Sequence, residues 1–475
     1  MNLPAYRPRE VRRVRHLRLI GLGSLVAGLL LIGLLPASAG ATRQLITGID
    51  PSGAPSTKLW ENRTAATGAE IVRTGAYWRD VAVSRPGSPR DPGDPAYDFT
   101  SVDNRVKAIA AHGQSPLLVV ELAPDWAEGG DRPSDARPGT WKPDPEAFGD
   151  YARAVAERYS GTYPDPAGPG ALPRVRSFQV WNEPNLDQFL APQWQGGKAA
   201  TPGRYRQLVN QFYAEAHAVH ADNQVVGPSL APYGEPPGGA RMRPVLFLRE
   251  LFCLRGRKRP KPKDNCPEQP PHLDAVSHHP ISASGDRGPD YHAAHPSDAS
   301  SGDLDRVKKV VRAAERYDQI APRGRHPLWV TEFWWFTNPP NDQLGVSPKQ
   351  QARWIVEGLY RFWRDGARVA TYWGMQDYGY FSTALFFGSG KPKPSYAAYS
   401  FPFLTDRRKS LIAWGKAPVQ GKLLIQRKQG KGWRTLKRKN VRAGETFRVR
   451  LPGRPKGKFR AKVGNRTSPA WKQGG

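Results

Sequence analysis

The sequence predicts a (β/α)8 barrel, or TIM barrel, followed by a small all-β, sandwich-like module. From residue 44 onward, short β-branched or apolar runs alternate with longer amphipathic stretches, as expected of repeated βα units around a parallel sheet. Eight such units at roughly 40 residues each suit a barrel with some long loops. After Phe403 the composition changes to short alternating runs separated by glycine-containing turns, which is typical of a β-rich module.

The units are defined by runs that can be read directly along the chain. The predicted strands cover residues 44–50, 70–78, 116–122, 175–182, 224–229, 273–279, 327–332 and 368–373. The predicted helices cover residues 102–112, 145–159, 202–221, 304–317 and 348–365. Asp144-Pro145 and Ser347-Pro348 are typical helix starts, with a capping side chain before a proline at the first helical position. A doubly wound open sheet is the rival fold, but no G-x-G-x-x-G motif follows an early strand.

The N-terminus predicts an export signal over residues 1–39. Six arginines precede an apolar run at residues 19–35, and the small residues Pro36, Ala37, Ser38 and Ala39 follow. Because the run is shorter than the roughly 20 residues that span a bilayer, cleavage after Ala39 is favoured over a retained anchor. The predicted location is therefore extracellular, with attachment to the cell surface as the alternative.

Cys253 and Cys266 are the only cysteines. In an exported chain they predict one disulfide that closes a short loop, and two free thiols are the alternative. Without a nearby histidine pattern they do not predict a zinc site, and no metal or cofactor is expected.

The positive charge is concentrated in the last 70 residues. The net charge of +29 divides into +5 for residues 1–39, +20 for residues 406–475 and +4 for the residues between them. We therefore expect three segments: the signal, a nearly neutral barrel at residues 40–405, and a basic module at residues 406–475. Such a module would bind polyanions. In an exported chain, anionic polysaccharides or cell-wall polymers rank first and nucleic acid last, and a merely solvated basic face is the alternative.

Two carboxyl groups are the candidate catalytic pair. Glu183 follows the fourth predicted strand and Glu332 ends the seventh. Because active sites form at the carboxyl ends of barrel strands, both should face one mouth. At about 5 to 5.5 Å apart, one carboxylate can attack an anomeric carbon while the other protonates the leaving oxygen. A helix-capping role for Glu183 and an arginine-pairing role for Glu332 are the structural alternatives.

The sequences around both glutamates resemble those of a known group of enzymes. The motifs W-N-E-P-N at residues 181–185 and W-V-T-E-F at residues 329–333 are similar to those of clan A of the glycoside hydrolases. Within the clan they are most like family 39, with family 5 cellulase-like enzymes next. The resemblance covers about residues 44–405. It implies retaining cleavage of a β-linked carbohydrate, with Glu183 as acid/base, Glu332 as nucleophile, and Asn182 bonded to the sugar hydroxyl next to the anomeric carbon.

Further substrate-binding candidates match the clan less closely. Arg73 corresponds to an arginine that supports the nucleophile, although a barrel-core ion pair is the alternative. His278-His279-Pro280 resembles the clan's H-P-Y, in which the histidine helps line the site, so His279 is a candidate and a core histidine is the alternative for His278. Ile281 replaces the tyrosine, so Tyr291 is a candidate to contact the nucleophile instead.

The remaining candidates are aromatic residues near the predicted mouth. Trp373 corresponds to a tryptophan that stacks under the sugar, with core packing as the alternative. Other aromatics fall on loops above the mouth and would extend a groove, with ordinary packing as the alternative for each: Trp126, Trp334, Trp335, Tyr378 and Tyr380. The competing functional hypothesis is a non-catalytic polysaccharide or cell-wall binder on the same barrel, but the presence of both carboxylates argues against it.

Overall fold

The computed structural model describes residues 42–282, 284, 287–407 and 410–473, so the predicted export signal lies outside the described residues. Residues Thr42–Gly475 form one compact unit. No helix in the described residues is both long and apolar enough to cross a bilayer.

Eight parallel strands close into a barrel in the order β1-β8-β7-β6-β5-β4-β3-β2. They are β1 (Ile46–Asp50), β2 (Ile71–Gly75), β3 (Ser115–Val120), β4 (Ser177–Val180), β5 (Gln224–Leu230), β6 (Ala275–His278), β7 (Leu328–Phe333) and β8 (Ala367–Trp373). All eight predicted strands are present, and the predicted (β/α)8 fold is confirmed.

A helix of seven residues or more follows each strand on the outside of the barrel, and a four-residue helix, Trp78–Val81, also lies after β2. The eight longer helices are α1 (Lys58–Ala65), α2 (Thr100–Ala111), α3 (Pro145–Arg158), α4 (Thr201–Val219), α5 (Pro244–Leu251), α6 (Leu304–Arg316), α7 (Pro348–Asp365) and α8 (Pro394–Ser400). Asp144 caps α3 by accepting hydrogen bonds from the backbone N–H groups of Glu146 and Ala147, and Ser347 caps α7 by accepting one from Gln350. Both predicted helix starts are therefore confirmed.

The barrel interior is layered. Apolar side chains fill its amino-terminal end: Ile46, Ile71, Leu117, Val226, Ala275, Trp329 and Val369. Two residues further along several of these strands the inward positions become polar, with Arg73, Ser277, Thr331 and Thr371, and all four are buried. Because side chains alternate along a strand, this polar layer lies directly beneath the carboxyl-end mouth.

Two antiparallel sheets follow the barrel, which confirms the predicted all-β module. β9 (Phe403–Asp406), β10 (Ile412–Lys416) and β13 (Thr446–Arg450) form one sheet in the order β9-β10-β13. β11 (Gly421–Gln429), β12 (Gly432–Val441) and β14 (Lys458–Val463) form the second with two short strands, and β12 lies at its edge. β9 begins three residues before the predicted boundary at residue 406.

The module packs against the barrel through specific polar contacts. Lys416 Nζ donates hydrogen bonds to the Leu45 carbonyl at 2.9 Å and to Glu70 Oε2 at 2.6 Å. The Leu45 backbone N–H donates to Thr446 Oγ1 at 2.9 Å. Leu45 and Glu70 directly precede β1 and β2, so the module is attached at the amino-terminal end of the strands.

Cys253 and Cys266 form a disulfide, as predicted. It closes the segment between α5 and β6, which also contains a hairpin of two short strands, Leu254–Arg255 and Lys261–Pro262. This connection runs from a helix to a strand, so the disulfide lies at the end of the barrel opposite the mouth.

Candidate active site

Glu183 and Glu332 lie together at the carboxyl end of the barrel. Glu332 is in β7, and Glu183 follows β4 by three residues. The backbone near Glu183 is unusual, since Trp181 and Glu183 have φ angles of 64° and 42°. Non-glycine residues in this left-handed region cost on the order of 1 kcal/mol or more, and they concentrate at functional sites. The Glu183 N–H donates to the Ser229 carbonyl at 3.1 Å, which ties this turn to β5.

The Arg73 guanidinium connects four strands beneath the mouth. Its Nη1 lies 2.7 Å from Asp50 Oδ2 and 3.4 Å from Glu332 Oε2. Its Nη2 donates to Asn182 Oδ1 at 2.8 Å, and its Nε donates to Gln179 Oε1 at 2.9 Å. Arg73 is only 6% exposed. It therefore serves both as a barrel ion-pair partner and as a cation beside the predicted nucleophile, so the two alternatives raised for it coexist.

His279 approaches both glutamates through one ring nitrogen. Its Nδ1 is 2.8 Å from Glu183 Oε1 and 3.9 Å from Glu332 Oε2. Those two oxygens can therefore be no farther apart than the two distances added together, about 6.7 Å. Burial lowers the pKa of His279 to about 3, so the ring is neutral and acts as a hydrogen-bond partner. Its Nε2 pairs with Thr331 Oγ1 at 3.1 Å, which fixes the ring from below.

The two carboxyl groups have different electrostatic surroundings. Burial raises the pKa of Glu183 to about 7, against the opposing charge of Arg73. Burial also raises the pKa of Glu332, but Arg73 opposes the shift, and Trp334 Nε1 donates a hydrogen bond to Glu332 Oε1 at 2.9 Å. Near neutral pH this arrangement favours a proton on Glu183 and a negative charge on Glu332.

Several site residues were not singled out from the sequence. Asp50 and Gln179 are bonded to Arg73. Glu121, directly after β3, is 5% exposed, and its pKa is raised to about 8 by burial, with smaller effects from the charges of Arg73 and Glu183. Leu117, Val119 and Glu121 alternate along the inner face of β3 up to the mouth, and this pattern could have identified Glu121 as a site residue.

The other predicted site residues are divided between the mouth and its surroundings. Trp373 ends β8, half-buried beside Trp334 at a ring separation of 6.2 Å. His278 is buried and bonds the Ala299 carbonyl at 2.7 Å, so it belongs to the core and His279 to the site.

Two of the predicted substrate-binding residues make other contacts. Trp126 packs edge-on against Trp78 at 5.5 Å and donates to the Ala82 carbonyl, so its ring is part of a loop cluster. Tyr291 lies under the Arg287 guanidinium at 4.6 Å, and its carbonyl accepts from Ser300. Trp334, rather than Tyr291, supplies the hydrogen bond to Glu332. A long loop, whose path its sequence does not reveal, separates Tyr291 from β6.

Trp335 is buried behind the mouth and donates to the Arg287 carbonyl. In the described residues, no group of three or more histidine, cysteine, aspartate or glutamate side chains is arranged to hold a metal ion.

Comparison with known proteins gives similarity of fold. No family model matches the chain, and no curated protein matches its sequence. Among solved structures, a family 39 glycoside hydrolase from Bacteroides cellulosilyticus WH2 is 17% identical, with 86% of this chain and 81% of that chain covered and a TM-score of 0.52. A glucosidase from Croceicoccus marinus is 13% identical, with 88% and 82% covered and a TM-score of 0.52.

The chain shares its fold with glycoside hydrolases. The first of these structures is named as a member of the family that the motifs around Glu183 and Glu332 resemble. The similarity to clan A, and within it to family 39, is therefore confirmed at the level of the fold.

Proposed function

We propose that the protein is an exported glycoside hydrolase that cleaves β-linked glycosidic bonds with retention. The observation that supports this most directly is that Glu183 and Glu332 both approach Nδ1 of the neutral His279 ring, at 2.8 and 3.9 Å. The two carboxylate oxygens near His279 are at most about 6.7 Å apart. Inverting enzymes hold their two carboxyl groups roughly 6.5 to 9.5 Å apart, so this limit favours the shorter separation of retaining enzymes. The disulfide and the arginine-rich N-terminus support export.

The proposed reaction has two displacements. Glu332 attacks the anomeric carbon as the bond to the leaving oxygen breaks, and the proton of Glu183 moves to that oxygen. Water then attacks the same carbon, gives its proton to Glu183, and breaks the ester to Glu332. Arg73 and Trp334 stabilise the Glu332 carboxylate when it is released. Asn182, bonded to Arg73, is the proposed partner of the neighbouring sugar hydroxyl.

Replacement of each glutamate tests this mechanism. We expect Glu183→Gln to lower kcat by about 10²- to 10⁴-fold on a natural glycan, because the proton donor is lost, and Glu332→Gln to remove turnover. A 2-fluoro glycoside should label the parent protein on Glu332. Glu146→Gln, at an exposed position on α3, is the matched control. Retained turnover in Glu332→Gln, with an unchanged thermal transition, would exclude the mechanism.

We further propose that the basic module binds an anionic polysaccharide. In its second sheet, Arg438 of β12 and Lys462 of β14 lie opposite Leu424 of the central strand β11. The two cationic side chains therefore form one row across the sheet. The Trp433 ring lies nearby with the Arg460 guanidinium 4.2 Å and Lys428 Nζ 5.5 Å from its centre. Arginine side chains of this kind bind carboxylates through paired hydrogen bonds.

Neutralisation of three cations tests the module without removing it. We expect the triple variant Lys428→Gln, Arg438→Gln and Lys462→Gln to elute from immobilised polygalacturonate at lower NaCl than the parent, because fewer counterions are released on binding. The control carries the same charge change at exposed positions of α6: Lys309→Gln, Arg312→Gln and Arg316→Gln. Equal elution of the two triple variants would contradict the proposal.

A further inference from the structure

The exposed aromatic side chains of the described chain are confined to the barrel mouth. In the described residues, the large aromatic side chains that remain exposed are Tyr77, Tyr378, Tyr380 and Phe381, at 39%, 43%, 61% and 37%. Tyr77 lies in the loop after β2, and the other three lie in one short segment after β8. Clustered exposed apolar surface is a mark of a binding site, and aromatic faces provide flat contact surfaces.

Rings connect this segment to the predicted nucleophile. Trp334, which is bonded to Glu332, lies 6.2 Å from Trp373, and Trp373 lies 4.9 Å from Phe381. Phe381 in turn lies 6.0 Å from Tyr380. Trp334 and Trp373 are half-buried, whereas Phe381 and Tyr380 are exposed. The aromatic surface is therefore continuous from Glu332 outward and becomes more open to solvent along its length. We call these four rings, together with Tyr378, the aromatic shelf.

The outer part of the shelf is held in a fixed hairpin. Tyr378 and Phe381 exchange backbone hydrogen bonds of 3.1 and 2.9 Å around Gly379, which has a φ of 50°. The preceding residue, Asp377, pairs with the buried Lys393 at 2.7 Å. Lys393 also donates to Thr337 Oγ1 at 2.9 Å, so the hairpin is tied to the loop after β7. A surface arranged in advance loses little conformational entropy when a ligand binds.

Tyr77 follows β2 and Tyr378 follows β8, and these two strands flank β1, which ends at Asp50. Gly75 leaves room for the Tyr77 ring, because a Cβ at position 75 would lie 2.5 Å from it. A cavity of about 340 Å³ adjoins Tyr77 and is lined by Asp50, Arg73 and Arg105. On the β8 side of Asp50, Tyr378 packs on Gly53, where an added Cβ would lie 2.5 Å from the Tyr378 ring. The mouth therefore extends on both sides of Asp50.

We infer that the protein binds a glycan chain across the mouth, with the aromatic shelf stacking sugar units beyond the one between Glu183 and Glu332. This inference rests on the proposed glycosidase function and adds the substrate class: an extended polysaccharide rather than a terminal sugar in a closed pocket. Sugar rings present apolar C–H faces to the shelf, while the cavity beside Tyr77 offers charged groups to hydroxyl groups.

Binding without turnover tests the shelf directly. Glu332→Gln protein is run through native gels containing birchwood xylan, glucomannan, barley β-glucan, alginate or polygalacturonate. We expect retardation by at least one of these polymers, and a loss of about tenfold in affinity when Tyr380→Ala or Phe381→Ala is added, as expected for one ring no longer buried on binding. Tyr213→Ala, which removes a half-buried ring on the outer helix α4, is the control. Equal retardation of shelf and control variants, with matching thermal transitions, would overturn the inference, as would no retardation by any polymer.

Turnover separates this inference from the proposed function. In the Glu332-containing protein, kcat/KM is measured on oligosaccharides of two to six units from the retarding polymer and on the matching 4-nitrophenyl monoglycoside. We expect the loss caused by Tyr380→Ala to grow with chain length. A loss that is the same at every length would overturn the inference and leave the hydrolase intact. Shelf-dependent binding without any hydrolysis would contradict the proposed hydrolase function but support glycan binding across the mouth.

Discussion

Trp334 shows how a single hydrogen bond can separate the roles of two carboxyl groups. Its indole N–H donates to Glu332, whereas Glu183 faces Nδ1 of the neutral His279 ring, which in one tautomer accepts a hydrogen bond from a protonated carboxyl group. A donor to the charged form of an acid lowers its pKa. The hydrogen bond from Trp334 therefore favours the ionised form of the proposed nucleophile, while burial raises the pKa of its partner Glu183 to about 7.

Trp334→Phe should shift one side of the pH profile. Loss of the N–H removes stabilisation of the Glu332 carboxylate, so its pKa rises, and the acidic limb of kcat/KM should move up by about one unit. The alkaline limb should stay near pH 7, where Glu183 loses its proton. The measurement is kcat/KM against pH on an aryl glycoside, with Trp433→Phe in the C-terminal module as control. An unmoved acidic limb would show that the hydrogen bond does not control the ionisation of Glu332.

Helices with regular patterns were predictable from the sequence, and short helices were not. α3 and α7 begin at a capping residue followed by proline, and both are long enough for apolar positions to recur with helical spacing. α1 and α5 have only eight residues each. α1 has little amphipathic character, and most of the side chains in the sequence PVLFLREL of α5 are apolar. Periodicity therefore could not distinguish these short helices from loops or strands.

For the site, the difference lies between residues placed by strands and residues placed by long loops. Glu183 and Glu332 were predictable, because parallel strands bring their carboxyl ends to one mouth. Arg73, which lies within β2, and His279, directly after β6, were named from the resemblance to clan A. Trp126 and Tyr291 lie on long loops, whose paths depend on contacts that the local sequence does not encode. Glu121 was overlooked although it follows from strand alternation alone.

The cap of α3 permits a test at the scale of one element. Asp144→Ala removes a side chain that accepts two backbone hydrogen bonds, so we expect the free energy of unfolding to fall by about 1 kcal/mol. Urea denaturation measures the difference. Asp135→Ala, at an exposed loop position, should leave the midpoint unchanged. If both variants behave alike, the Asp144 cap does not contribute to stability.

At the scale of the whole molecule, Lys416 joins the C-terminal module to the barrel. It is 5% exposed and donates hydrogen bonds to Leu45, Glu70 and Gly444. Removal of the module would leave the carbonyl of Leu45 and the side chain of Glu70 without this partner. For this reason surface substitutions test the function of the module better than truncation does.

Lys416→Met should therefore destabilise the protein by about 2 kcal/mol, because the side chain still fills the space but its three hydrogen bonds are lost. The midpoint of urea unfolding, followed by tryptophan fluorescence, measures this effect. Lys422→Met, at an exposed position on β11, is the control. Coincident unfolding curves for the two variants would mean that the contact between barrel and module contributes little to stability.

The edge position of β12 gives its charges a second consequence. An open strand edge can template pairing with another copy of the same chain and so begin aggregation. β12 carries Arg434, Lys437, Arg438 and Lys439 within ten residues, so two such edges brought together would place like charges side by side. Arg438, proposed to hold a polyanion, thus also opposes self-association. A bound polyanion would neutralise that repulsion while itself covering the exposed strand.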